Sequence, residues 1–276
     1  MKKQMVQLVI LALCATSVFA RNDNITIVSR EEGSGTRSAF TELLGIVDDQ
    51  RRDITTSKAE ITNNTAVMIQ SIVRNRAAIG YISMGSMNDN VKALRIDGVE
   101  ATGANVLNGT YPISRPFLVG TKGEVSAVAQ DFINFMLSEN GQNVVSSRGF
   151  IAIENKGAFK SSGVSGRVIV AGSSSVAPLM ERLKEAYLAL NPNASVEIQQ
   201  NDSSAGVRAL QNGICDIAMS SRNLRPAELE AGITPITIAQ DGIAVIVNKQ
   251  NEVNGLTQEQ VKSIYLGNVA RWNQLK

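Results

Sequence analysis

The stretch SREEGSGTR at residues 29–37 decides how the rest of the chain is read. It follows an apolar run at 25–29 with strand character and leads into an amphipathic run at 36–44 with helical spacing, so its glycines and hydroxyls occupy a strand-turn-helix junction. A helix start offers unpaired backbone N–H groups and the positive end of the helix dipole, and Ser or Thr there adds donors without adding charge. Arg30, between the strand and the glycines, brings a planar guanidinium able to form two parallel bonds to an oxyanion. The junction reads as an anion site. It is not a nucleotide loop, because neither GxxxxGKS nor GxxxxGKT occurs.

Moving outward, two further Ser- and Gly-rich clusters precede expected helices: GSSSV at 172–176 and SSAGV at 203–207. A fourth, Ser220-Ser221-Arg222, follows an expected strand at 216–219, at the carboxyl end where open α/β sheets put their ligands. Each cluster alone is ordinary, since Ser is a common helix cap and Gly a common turn former. Three helix starts and a strand end of one composition describe a pocket for a multiply charged oxyanion.

The chain around these clusters alternates short apolar runs with amphipathic ones. Strands are expected at 25–29, 77–82, 168–171, 195–199 and 216–219, and helices at 36–44, 66–74, 177–190 and 206–212. This is the βα alternation of an open α/β fold. Val128, Phe132, Phe135, Met136 and Val144 fall at helical spacing and read as core-packing helices broken at Gly141. The run ENKGAFKSSGVSGR at 154–167 reads as a surface linker.

Composition narrows the chemistry. With no histidine, a Ser-His-Asp triad, a histidine general base and the commonest catalytic zinc ligand sets are excluded. No nucleophile pairs with a recognisable base, so no catalytic residue, metal or cofactor is expected. Residues 1–20 carry two lysines, an apolar run from Leu8 to about Phe19 and a Val18-Phe19-Ala20 cleavage motif, the pattern of a signal peptide cut after Ala20. That run is shorter than the roughly 20 residues a membrane-spanning helix needs. A periplasmic or secreted location is expected. Leu13 before Cys14 speaks against a lipoprotein signal, and Cys215, then the one cysteine of the mature chain, is expected to fill core in a strand without a disulfide partner. Loss of Lys2 and Lys3 leaves basic and acidic residues equal at 25 each, a balance that gives no footprint for nucleic acid.

SREEGSGTR, with GSSSVAPL at 172–179, QNDSSAGVRAL at 200–210, DIAMSSRNL at 216–224, YPISRPF at 111–117 and the Trp272 region, resembles the phosphate-binding proteins of phosphate-specific ABC importers. These are type II periplasmic binding proteins. The resemblance implies two lobes, each an open α/β sheet, joined by a two-segment hinge near 112–118 and 243–248, with residues 21–114 plus 247–276 in one lobe and 115–246 in the other. The family's order puts the GSSSV half first, so the chain resembles a circular permutation whose two ends should lie side by side. The implied activity is capture of inorganic phosphate and delivery to the importer's membrane subunits. The alternative is an extracellular binder or sensor of phosphate, sulfate or molybdate without an importer. A monomer is expected, with exchange of halves between two copies as the other arrangement.

The resemblance implies an anion site of Arg30, Ser34, Gly35 and Thr36 from one motif, Ser174 and Ser175 from the second, and Ser203 with Ser204 from the third. Ser221 stands where some relatives resemble one another in carrying an aspartate that accepts phosphate's proton. A serine hydroxyl can accept that bond as well, without repelling an anion. Arg222 either supplies a second positive charge or caps its loop.

Overall fold

The computed structural model describes residues 24–147 and 149–275. The expected signal peptide, with Cys14, lies outside them. Two runs of the chain fold into the same five-element unit. The first is β1 (Thr26–Arg30), α1 (Gly35–Leu43), β2 (Glu60–Thr62), α2 (Thr65–Arg74) and β3 (Ala78–Ser83). After β4 (Val91–Ala93), β5 (Arg95–Ile96), α3 (Gly103–Leu107), β6 (Ser114–Lys122), α4 (Ala127–Leu137) and α5 (Glu139–Ser147), the second unit runs β7 (Gly166–Ser173), α6 (Ala177–Leu190), β8 (Ala194–Asn201), α7 (Ser203–Gln211) and β9 (Ile217–Ser220). The chain ends with α8 (Pro226–Glu230), β10 (Ile233–Asn248), β11 (Gly255–Leu256) and α9 (Gln258–Tyr265). In each unit the first strand lies between the other two, and all pairings within it are parallel.

Parallel neighbours require crossover helices, which explains the βα alternation of the sequence. The two units are linked through β10 and β6 into the strand order β2-β1-β3-β10-β6-β9-β7-β8. β10 spans both halves. It pairs antiparallel with β6 from Ile233 to Gly242, then with β3 from Ile243 to Val247. The change of partner falls at the start of the expected crossover at 243–248 and opposite Ser114, inside the other expected one. Either side of this point the chain builds its own hydrophobic core. One joins Phe117, Phe132, Phe135, Val170, Leu183 and Tyr187. The other joins Phe40, Ile79, Tyr81, Ile113, Val245, Tyr265 and Trp272. The result is a two-lobed α/β fold.

The expected elements are found with ends shifted by a few residues, and 177–190 is reproduced as α6. Three details differ. The break in the 128–146 helical run falls at Ser138, whose hydroxyl donates to the Phe135 carbonyl at 2.6 Å and accepts the Gly141 N–H at 3.2 Å, while Gly141 lies buried inside α5. Helix α7 begins at Ser203 rather than beyond the serines, because the Asp202 carboxylate accepts the Ala205 N–H at 2.7 Å and caps the helix a turn early. Cys215 is buried and free, as expected, but sits just ahead of β9. The linker at 154–165 is tied down by Ser162, whose hydroxyl donates to buried Asp131 at 2.7 Å. At the chain ends, the Ile25 N–H donates to the Ala270 carbonyl at 2.8 Å and Asn24 bridges Arg271, so the two described ends lie side by side.

Candidate functional site

The repeat of the unit puts helix starts in one place. In each unit the crossover helices begin at the carboxyl ends of the strands, and the two halves of the sheet turn those ends toward each other. Four N-termini converge: α1 at Gly35, α2 at Thr65, the turn at 174–176 before α6, and α7 at Ser203. Their unpaired N–H groups and dipoles make the region electropositive without formal charge.

Ser34 caps α1 by accepting the Arg37 N–H at 3.3 Å, and that cap sets the SREEGSGTR turn. Arg30, at the end of β1, is buried. Its Nε and Nη2 fork onto Glu31 at 2.8 and 2.6 Å, and Nη2 also donates across the lobes to Ser174 Oγ at 3.0 Å. Beneath it the Tyr81 hydroxyl accepts the Arg30 N–H at 3.2 Å and shares a 2.8 Å bond with Ser29, and burial pushes its pKa up to about 12. Tyr81 is therefore a neutral support for the arginine. Thr36 Oγ1 shares a 2.7 Å bond with Ser175 Oγ of the opposite lobe.

The second lobe contributes hydroxyls that bond to one another. Ser173 donates to Ser221 Oγ at 2.9 Å, Ser203 Oγ accepts the Ser221 N–H at 3.2 Å, and Ser203 and Ser221 hydroxyls lie 3.5 Å apart. The lobes touch closely here. The Ser204 N–H donates to the Gly33 carbonyl at 3.2 Å, and a Cβ on Gly33 would overlap the Asp202 carboxylate. A Cβ on Gly35 would overlap Ser203 and Ser221, so only glycine lets α1 approach this closely.

All nine residues singled out in the sequence meet at this junction of the lobes and all are buried. Two neighbours were missed. Thr65, at the start of α2, comes within 3.4 Å of both Ser174 and Ser175 hydroxyls, and Ser173 anchors Ser221. Thr65 had a signal: the polar run Asn63-Asn64-Thr65 before an apolar helix is the same kind of start as the other clusters. Arg222 does not reach this hydroxyl cluster as a free charge. It forks onto Glu228 with two 2.8 Å bonds, donates to the Asn223 carbonyl at 2.8 Å, and touches Ser204 Oγ at 3.2 Å. Burial raises the Glu228 carboxyl, but the hydrogen bonds and charge of Arg222 outweigh it and hold it below its ordinary value.

The assembled group is a buried polar cluster of hydroxyls, helix N-termini and one arginine bonded to one another across the junction, with no carboxylate among its nine members. It can hold a compact anion by many directed donors. Nothing in it pairs a nucleophile with a base.

The model of the PBP superfamily domain matches residues 17–140 and 157–276. The chain is 46% identical over 272 residues to the phosphate-binding protein PstS 2 of Streptococcus agalactiae, covering 96% of this chain and 93% of that one. A crystal structure of the phosphate-binding protein of a phosphate ABC transporter from Streptococcus pneumoniae superposes with a TM-score of 0.73 at 41% identity, covering 92% of this chain and all of the other. The phosphate-binding protein PstS of Bacillus subtilis is 34% identical over 135 residues, 48% of this chain and 43% of that protein.

Proposed function

The chain belongs to the PBP superfamily and, within it, to the family of phosphate-binding proteins, and on that premise we propose that it captures inorganic phosphate between its lobes and hands it to an ABC importer. It is a binding protein, as its relatives are named, and not an enzyme. The observation that carries the reading is the meeting of Arg30, Gly35 and Thr36 from one lobe with Ser174, Ser175, Ser203 and Ser221 from the other. An anion stripped of water needs compensation at every oxygen, and hydroxyls, helix N–H groups and one guanidinium supply it. Closure of the lobes about the change of partner in β10 would complete the donor set, and the closed form would be the one recognised by the membrane subunits.

The nine site residues, with Thr65 and Ser173 added, are the proposed ligand shell. The proposed lobe division lies near Ser114 and Gly242, a reading that the change of partner in β10 supports. The proposed place of action is outside the cytoplasm, after removal of residues 1–20. The permuted order of halves is part of the same reading. Adjacent chain ends support it, as does a match to the Bacillus protein over about half of each chain, which is what a reversed order leaves for a collinear alignment.

The test is calorimetric titration of the chain from Arg21, stripped of bound anion, with phosphate, sulfate and molybdate, while its mass in solution is recorded. Tight phosphate-selective binding by a monomer is expected. Absence of phosphate binding would overturn the reading, and binding by a dimer alone would mean that the site is completed between two copies.

A further inference from the structure

Between the two units lies a buried ion pair that the hydroxyl cluster does not contain. Arg115, at the start of β6, faces Asp241 of β10 in antiparallel register, two residues before β10 takes β3 as its partner. Its Nε and Nη2 donate to Asp241 Oδ2 at 3.2 and 3.1 Å, and the side chains are 2% and 1% exposed. The other carboxylate oxygen, Oδ1, accepts the Ser83 hydroxyl at 2.8 Å, from the end of β3. The third arm of the guanidinium, Nη1, donates to the Ser221 carbonyl at 3.0 Å.

A line of hydrogen bonds thus runs from Ser83 in one lobe, through Asp241 and Arg115 at the shared strands, to Ser221 in the other. It ends on the residue whose N–H and hydroxyl both lie in the candidate anion site. The fork onto Asp241 fixes the plane of the guanidinium, and its remaining arm restrains the peptide that follows Ser221 through the Ser221 carbonyl.

The pair is a costly way to fill this position. Burial works against both charges, raising the Asp241 carboxyl and lowering the Arg115 guanidinium. Replacing such a pair with neutral groups of similar volume is often neutral or favourable for stability. A purely structural need would be met by apolar residues, whereas a fixed three-armed donor meets a geometric one.

We propose that Arg115, held by Asp241, is a positioning residue for the anion site, fixing Ser221 from behind and linking its orientation to the strand on which the lobes pivot. The inference rests on the phosphate reading for its ligand but not for its geometry.

Arg115→Lys tests it, because an ammonium retains the charge beside Asp241 and loses the planar fork that also reaches Ser221. In the ligand-free protein, amide hydrogen exchange at Ser221 should speed up by about tenfold, with that of Met219 in β9 unchanged. Affinity for inorganic phosphate should fall about tenfold or more, the effect of losing one charge-assisted bond, with melting shifted by only a few degrees. The neutral double variant Arg115→Met with Asp241→Asn keeps an acceptor for Ser83 and should melt near the wild type while showing the same two losses. Wild-type exchange at Ser221 and wild-type affinity in either folded variant would overturn the proposal. Failure of both variants to fold would overturn it too, since the pair would then be a requirement of the fold. Should the wild type itself bind no phosphate, the phosphate reading fails, and the exchange at Ser221 still decides the positioning role.

Discussion

The two βαβαβ units present the same parts to the site with different chemistry. Each offers two helix starts at the carboxyl ends of its strands, and each has one arginine forked onto a glutamate. In the first unit the arginine ends the central strand, so Arg30 stands at the middle of the site, and its glutamate is the next residue in the turn. It still donates to Ser174 across the lobes. In the second unit the arginine follows β9, the last strand of the unit and not its central one, and Glu228 reaches it from α8 within the same lobe. Arg222 therefore closes its own loop, whereas Arg30 bridges. Position in a repeated unit decides what an arginine does more than its exposure or its partner, since both are buried and both are paired.

The sharpest way to break this comparison is to remove each arginine. Arg30→Ala is expected to weaken phosphate binding by at least about 100-fold in calorimetry, in the range for truncating a buried, hydrogen-bonded charge. Arg222→Ala should lower stability by about 3 kcal/mol in urea unfolding, because it strands buried Glu228, while changing affinity by about threefold or less. Equal losses of affinity in the two variants would dissolve the distinction.

The next contrast concerns hydroxyls. Thr36→Val deletes the 2.7 Å bond to Ser175 while keeping the side chain's shape, and a loss of about tenfold in affinity is expected with little change in melting temperature. Were the loss confined to stability, the bond would serve the fold and not the closed site.

The smallest effect is one of pH. Glu228 is held below its ordinary value of 4.5, so its contribution to stability is fully present above that pH and fades as the pH falls through its folded value. Urea unfolding of wild type and Glu228→Gln at neutral pH and near pH 3 should therefore show a gap that narrows in acid. A gap independent of pH would mean that the carboxylate's charge contributes nothing to the Arg222 loop.

Much of this was legible in the sequence because the signals are local. Apolar spacing marked the strands and helices, and Ser, Thr and Gly at helix starts marked the residues that meet at the junction of the lobes. The misses have physical causes of their own. Thr65 went unremarked because its run carries no glycine, although its helix start is the counterpart of the one at Ser203. The cap of α7 was misjudged because Asp202 competed with the serines for that role. β10 escaped notice as one strand because Pro235 and Gly242 interrupt its pattern; Gly242 falls where the partner changes, and Pro235 lies in the stretch paired with β6 and not with β3. The Arg115–Asp241 pair gave no signal, since 126 positions separate its members.

The sequence by itself determined the α/β class, the absence of histidine-based chemistry and the set of hydroxyl-rich helix starts, because each depends on residues a turn or two apart. Only the tertiary structure decided which starts meet, which arginine reaches across them and which stays within its own loop, and which long strand the two units share. Those outcomes depend on strand order and on charges brought together from distant parts of the chain, and a buried charge acquires its role from the partner that folding puts beside it.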